Sequence, residues 1–361
     1  MYYAENMSVA PACKRPRLAL KPANGSFRTG PTLELLSNDV LLIIFSYLPK
    51  SSLLAISQLG PRWRDLCAAK SLWTSIDDDQ PQTLSSLHKI LHLGSTHLDK
   101  IEKIRILGFQ NEVPRRIVGT FQSDKNRLRP IQNVSQSLLT MLREKCSSLE
   151  TLTLEGVYMN VERVPFTCFP RKLRKLSLRD STLENIPFRG SVTWFQSIAT
   201  HMPHLEVFDL TNCSWVLSSF LLSIAKLPEL KVLKLRGCFR VGKHPSYLAL
   251  APMMGFHKLE VLDISQTRIE PSEIVHWLRK SECLHTLYME RTPSCVSDEL
   301  FLSQLTVFKS TSLPTLRRLY IAGNNLSREA VEAVIVNMPL LERLDVGDCS
   351  DPYNLPENPN G

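Results

Sequence analysis

The chain has 361 residues, 43% of them hydrophobic and 22% charged, with a formal net charge of +8. That composition excludes a disordered or fibrous chain and leaves room for one large repeat array with a small accessory domain. Its longest unbroken apolar stretch, residues 40–45, is far short of the ~20 residues a membrane-spanning helix needs, so no membrane contact is expected.

Residues 1–30 form a basic tail carrying Lys14, Arg15, Arg17, Lys21 and Arg28 against the single acid Glu5. Such a segment is expected to be disordered. Lys14-Arg-Pro-Arg17 fits a nuclear import signal, and it equally fits a solvated basic arm. The tail lacks the apolar core of a secretory signal. Nine cysteines form no CxxC pair, which disfavours a disulfide framework and a zinc site. A reducing setting, nucleus and/or cytoplasm, is the expectation, and the five Asn-x-Ser sequons are read as chance.

Residues 31–76 predict three short helices. Ser37 is placed to cap the first, which runs to Tyr47 ahead of Pro49; Ser51 is placed to cap the second, and Pro61 opens the third. Leu72-Trp73 closes the unit. The first helix carries Val40, Leu41, Leu42, Ile43, Ile44 and Phe45 and is apolar nearly all round. Such a helix wants two partners, one internal and one external. The unit either covers the open end of the following array or grips a foreign protein. Residues 77–97 read as a linker with a helix, in which Asp77-Asp78-Asp79 is expected to be solvated.

From residue 98 to 349 one pattern recurs nine times. Its clearest copy is Leu341-Glu-Arg-Leu344-Asp-Val346-Gly-Asp-Cys349, and the others begin at Ile101, Leu149, Leu173, Leu205, Leu230, Leu259, Leu284 and Leu316. After a first interval of 48 residues, the spacings lie between 24 and 32. The pattern L-x-x-L-x-L-x-x-(N/C) at that period is the signature of a leucine-rich-repeat solenoid. The predicted fold class is therefore α/β: a curved parallel sheet inside, helices outside, preceded by a small all-α unit. Each copy alternates buried and outward side chains, the mark of a short strand with one buried face. Helical spacing appears between strands at residues 192–202, 217–227, 273–278 and 328–338, with Ser327 placed as a cap. Residues 110–133, which include the basic cluster Arg115, Arg116, Lys125, Arg127 and Arg129, are either an insertion or a degenerate repeat. They offer only Phe121 for base stacking, so no nucleic-acid partner is expected. A helix near 135–146 follows, and residues 350–361 form a C-terminal tail.

The alternation lets the concave face be read directly. Its central column runs Thr153, Ser177, Asp209, Lys234, Asp263, Tyr288, Tyr320 and Asp345; the next includes Glu155, Arg179, Thr211, Arg236, Ser265 and Glu290. Arginine and tyrosine are favoured interface anchors. Arg179, Asp209, Lys234, Arg236, Asp263, Tyr288, Tyr320 and Asp345 are therefore the candidate residues for holding a protein substrate. The ninth positions, Ser181, Cys213, Cys238, Thr267, Thr292, Asn324 and Cys349, suit small groups tucked under a turn and need no redox role. No catalytic constellation is found: no phosphate-binding glycine loop, no nucleophile elbow, and no further ligands beside His88 and His92. Neither a cofactor nor a metal is expected, and the chain is not expected to be an enzyme.

The segment 31–76 resembles the F-box. The resemblance is carried by Leu36-Ser37, Ile44-Phe45-Ser-Tyr-Leu48, Leu53-Leu54, Arg62-Trp63 and Leu72-Trp73, with Ser37 where proline is commonest. Together with the repeats, the chain looks like an F-box/leucine-rich-repeat protein over about residues 31–349. The resemblance implies a non-catalytic substrate-recognition subunit of a Skp-cullin-F-box ubiquitin ligase. It would bind the Skp-type adaptor, and through it cullin, by the F-box, and a protein substrate by the concave repeats. By the same carry-over the adaptor-facing residues are Leu36, Val40, Leu41, Ile44, Phe45, Leu48, Pro49, Leu53 and Leu54, while Trp63, Leu66, Leu72 and Trp73 tie the unit to the first repeat. The alternative is a scaffold that binds the adaptor without delivering cargo.

Overall fold

In the computed structural model the described residues are 33–108, 134–186, 194–242, 256–269, 281–292, 315–324, 326–338 and 340–347. The basic tail, the 115–129 cluster, the predicted helix at 273–278, Cys349 and residues 350–361 lie outside them. Described first is a helical unit: a 3-10 turn at Leu33–Leu35, then α1 (Asn38–Ser46), α2 (Lys50–Ile56) and α3 (Pro61–Cys67). Ser37 caps α1 as predicted, its hydroxyl accepting from the Val40 N–H at 3.4 Å. The start of α2 departs from prediction. It begins at Lys50 rather than after Ser51, and its cap comes from 27 residues downstream. One carboxylate oxygen of Asp78 accepts from the Lys50 N–H at 2.6 Å and the other from the Ser51 N–H at 3.1 Å. Of the three consecutive aspartates expected to be solvated, the middle one is therefore buried, at 1% exposure. Its neighbours Asp77 and Asp79 point the other way, to the Arg105 guanidinium at 3.2 and 3.1 Å.

The helical unit flows into a parallel sheet without a break. Ser75–Asp77 is already its first strand, β1, ahead of the first recognised copy of the repeat. The nine copies supply the rest of the ten-stranded sheet among the described residues. These are β2 (Lys103–Leu107), β3 (Thr151–Glu155), β5 (Lys175–Ser177), β7 (Val207–Asp209), β8 (Val232–Lys234), β9 (Val261–Asp263), β10 (Thr286–Tyr288), β11 (Arg318–Tyr320) and β12 (Arg343–Asp345). A second, two-stranded parallel ladder joins β4 (Tyr158–Asn160) to β6 (Thr182–Glu184). Strands β2 and β3 are hydrogen-bonded neighbours, Lys103 opposite Thr151, and residues 109–133 between them in sequence lie outside the described residues.

Each repeat ends its strand with one turn. The eighth position of seven successive copies, Gly156, Asp180, Asn212, Gly237, Gln266, Arg291 and Gly323, has a φ between 49 and 72°. In each, the N–H reaches across to a carbonyl of the next repeat, as from Asn212 to Arg236 at 2.7 Å. Glycine, asparagine and aspartate tolerate that left-handed backbone best, and five of the seven positions use them. The ninth position then drops inward. Cys213 donates to the Leu178 carbonyl at 3.0 Å and Cys238 to that of Leu210 at 3.1 Å. Asn324 donates to the carbonyls of Met289 and Ile321 at 2.7 and 3.0 Å. Burial pushes the Cys238 thiol up to about 12 and the Cys213 thiol well above its ordinary value. Both stay protonated as hydrogen-bond donors, which is a structural task.

On the other side of the sheet the chain forms α4 (Leu84–Leu93), α5 (Gln136–Lys145, capped by Ser135) and short helices, α6 (Ile198–His201) and α7 (Leu221–Ile224). The last, α8 (Arg328–Asn337), is capped by Ser327 through the Ala330 N–H at 3.2 Å. The predicted helix at 192–202 thus shrinks to about one turn, and that at 217–227 to a 3-10 turn at Ser218–Phe220 running into α7. Aromatic rings fill the space instead: Phe166, Phe169, Trp194, Phe195, Trp215 and Phe220 pack at centroid distances between 5.2 and 6.3 Å. His201 seals this cluster, its Nε2 lying 2.8 Å from the Phe169 carbonyl.

Burial, aided by Arg171 and Arg143, holds the His201 imidazole below its ordinary value despite that hydrogen bond. The native state therefore refuses a proton that the unfolded chain accepts at pH ~6.5, so stability falls as pH drops below that value toward the native one. Urea midpoints measured at pH 7.5 and 5.5 are expected to show this loss, and His201→Gln is expected to reduce it.

Candidate functional site

The helical unit divides its apolar residues between two sides. Leu41 (0% exposed), Phe45 (3%) and Leu53 (0%) point into the common core. Phe45 packs against Trp63, ring centroids 6.1 Å apart, and Trp73 is fully buried with its indole N–H donating to the Cys67 carbonyl at 3.0 Å. Gly94 abuts Trp73 so tightly that a Cβ there would lie 2.3 Å from the indole ring. Leu66 and Leu72 are buried beside them. This corrects the expected adaptor-facing set: Leu41, Phe45 and Leu53 hold the unit together and present no surface. Leu36, Leu48 and Leu54 are half-buried, packed against the core, and Pro49 is exposed.

The outward side carries residues that the motif match passed over. Alongside Val40 and Ile44, it exposes Leu33, Leu35, Ile43 (61%), Tyr47 (85%) and Leu59. These seven are the majority of the large hydrophobic residues exposed among the described residues, and all fall within residues 33–59. A cluster of that kind marks an interaction site. Arg62 fixes its edge by donating to the carbonyls of Glu34 and Leu36 at 2.7 and 2.8 Å and to the Asn38 side chain at 3.0 Å.

The strand-lined face of the repeats is the second candidate surface. The register places Ser177, Asp209, Lys234, Asp263, Tyr288, Tyr320 and Asp345 side by side on consecutive strands. Most of the charged candidates turn out to be engaged with one another. Lys234 pairs with Asp209 at 3.6 Å, and Arg236 with Asp263 at 3.3 Å and also with Glu290. Arg179 pairs with Asp180 at 3.1 Å and with Glu155 at 3.9 Å. Asp209, Asp263 and Asp345 each also accept the backbone N–H two residues on, at 3.0 to 3.1 Å. At the edge of this face a further ladder runs through Glu150, Arg174, Glu206 and Lys231, and then through Glu260 and His285. Tyr288 and Tyr320 stack face to face, centroids 4.2 Å apart at 13°. Burial, with the neighbouring Tyr320 hydroxyl, raises the Tyr288 phenol above its ordinary value.

Two arginines on this face were not singled out from sequence. Arg318 and Arg343 open β11 and β12, two residues before Tyr320 and Asp345, so the same alternation puts them on the same side. The signal was present but lay in the column next to the one read. Among the described residues no group of three or more His, Cys, Asp or Glu side chains could hold a metal ion, and no helix is long and apolar enough to cross a membrane.

A three-helix unit with an oily outward side, feeding directly into a ladder of short parallel strands with buried ninth-position caps, defines an F-box-like domain joined to leucine-rich repeats. Residues 38–79 match the F-box-like family. The chain is 28% identical over 236 residues to F-box/LRR-repeat protein 12 of Homo sapiens, covering 64% of each chain. It is 27% identical over 236 residues to F-box/LRR-repeat protein 12 of Mus musculus, again covering 64% of each. The match thus spans less than two thirds of these relatives' length. Among solved structures, a chain of "Crystal structure of Rad7 and Elc1 complex in yeast" is similar with a TM-score of 0.44 and 13% identity, over 79% of this chain and 76% of that one. The chain is thus similar to F-box/leucine-rich-repeat proteins, with an F-box-like segment followed by repeats.

Proposed function

We propose that this chain is a non-catalytic substrate-recognition subunit of a Skp-cullin-F-box ubiquitin ligase. In this reading the F-box holds a Skp-type adaptor, which brings cullin, and the strand face of the repeats holds a protein substrate. The observation that carries it is the division of α1: one side locked in the core, the other presenting Val40, Ile43, Ile44 and Tyr47 to solvent. Leaving so much apolar surface in water costs about 25 cal/mol per Å², which a partner recovers on docking. Tethering then raises the local concentration of substrate lysines at the ligase, to about millimolar for short linkers.

The test is co-purification of the full chain with adaptor and cullin. Ile43→Glu with Tyr47→Glu changes only exposed positions and is expected to leave the fold intact while weakening adaptor recovery at least a hundredfold. Undiminished recovery would remove the interface assignment. Recovery of adaptor without cullin, or of both with no cargo that gains ubiquitin, would favour the scaffold alternative.

A further inference from the structure

The first rung of the sheet breaks the rule that its successors keep. Register sets Ile76 opposite Ile104, so Asp78, two residues on, falls on the rung of Ile106. That sixth position is apolar in all nine copies of the repeat, and Ile106, Leu154 and Leu178 there are buried. Asp78 is buried as well, but its partners are the Lys50 and Ser51 N–H groups that open α2, at 2.6 and 3.1 Å. Pro49, the residue before α2, supplies no side-chain cap of its own, so the helix takes its start from β1. The Lys50 side chain reaches back to the same strand region, its ammonium 5.9 Å from the centre of the Trp73 ring. That ring is fixed in turn by its hydrogen bond to the Cys67 carbonyl and by Gly94 against it. On the other side of β1, Asp77 and Asp79 pair with Arg105, which also holds Glu155 on β3. Alternation along a strand sends the outer two aspartates to one face and the middle one to the opposite face. The run of three thus pins one strand to the repeats and to the helical unit at once.

We propose that Asp78 is a positioning residue: by fixing the start of α2 on the first rung, it sets the angle between the helical unit and the solenoid. Packing alone cannot set that angle. One apolar core runs through both parts, with Leu53 and Ile76 among its buried members, and hydrophobic attraction has no direction. Hydrogen bonds do have one, weakening steeply as donor and acceptor move out of line. Two carboxylate oxygens on two successive N–H groups therefore fix both the place and the tilt of the helix start. The proposal rests on the reading that the helical unit holds an adaptor and the repeats a substrate. In that reading the angle decides where substrate lysines stand relative to the ligase, and tethering is effective only when geometry allows both ends to be engaged.

The test is a spin-label distance distribution in the full chain, with nitroxide side chains at two exposed positions, Ala55 on α2 and Lys172 ahead of β5. The wild type is expected to give a single narrow peak. Lys50→Met with Asp78→Leu removes both charges together and installs the kind of residue that the other rungs carry. Replacing a buried pair by apolar side chains is often neutral for stability, so this variant is expected to unfold cooperatively while its distribution widens at least twofold. Asp78→Asn, which keeps one accepting oxygen, is expected to widen it less, and decides the matter if the double variant does not fold. Asp78→Glu, which keeps both oxygens, is expected to restore a single narrow peak. Unchanged width in the double variant or in Asp78→Asn would overturn the proposal, as would a broad distribution in the wild type. So would widening that an excluded osmolyte abolishes, since that reports local unfolding rather than a loosened joint. The distances are read without adaptor, so the expected widths in a chain that captures no adaptor would support the joint and strike only the ligase reading.

Discussion

An Asp78→Ala variant is expected to lose about 3 kcal/mol of stability, whereas Asp77→Ala and Asp79→Ala each lose under about 1 kcal/mol. The three side chains are chemically identical and consecutive, so the difference lies wholly in what each meets. Asp78 is buried, and its two oxygens satisfy the Lys50 and Ser51 N–H groups at the start of α2. Helix starts leave such donors unpaired, and a capping side chain contributes about 0.5–2 kcal/mol. The rest comes from Lys50, itself buried, with its ammonium 5.9 Å from the centre of the Trp73 ring. Burial holds that ammonium below its ordinary value, and Asp78 opposes the shift. Removing the carboxylate leaves a cation in the interior without its counter-charge, a change that costs about 3–5 kcal/mol where a buried pair is broken outright. Asp77 and Asp79 are exposed partners of Arg105, and exposed pairs contribute little. Urea unfolding, with hydrogen exchange of peptides spanning α1 to α3, measures both effects. A loss for Asp78→Ala no larger than for its neighbours would sink the account.

The same aspartates show where the sequence stops being legible. The strands were readable because a repeat writes its own register. Each copy's buried side chains have to meet those of the next, so Leu176, Phe208, Leu233 and Leu262 fall on successive rungs. The turn residues at position eight and the caps at position nine follow from the same periodicity. Asp78 carried no such signal, since its partners lie 27 and 28 residues upstream and nothing in a run of three acids distinguishes the middle one. The charged residues of the strand face were correctly placed, but their pairing across strands was not read, nor were Arg318 and Arg343 singled out. The helices predicted at 192–202 and 217–227 came out shorter because the aromatic filling of the middle repeats depends on side chains distant in sequence.

A Phe45→Ala substitution separates the two roles that the F-box pattern had merged. The helix α1 is apolar on nearly every side, so hydrophobic periodicity gives no phase and cannot say which residues face inward. The fold supplies that phase: Leu41 and Phe45, four apart, lie on the buried side, and Val40, Ile43, Ile44 and Tyr47 on the open one. Phe45 sits in the core against Trp63, and truncating a buried phenylalanine costs about 3–5 kcal/mol. The variant is therefore expected to destabilise the helical unit and to lose adaptor only as a consequence of unfolding. Adding an excluded osmolyte should then restore both fold and binding. Ile43→Glu with Tyr47→Glu should behave oppositely, with an unchanged unfolding midpoint and adaptor binding that no osmolyte recovers. If Phe45→Ala keeps the wild-type midpoint yet fails to bind, then Phe45 touches the partner directly and the division of α1 into a structural and a docking side is wrong.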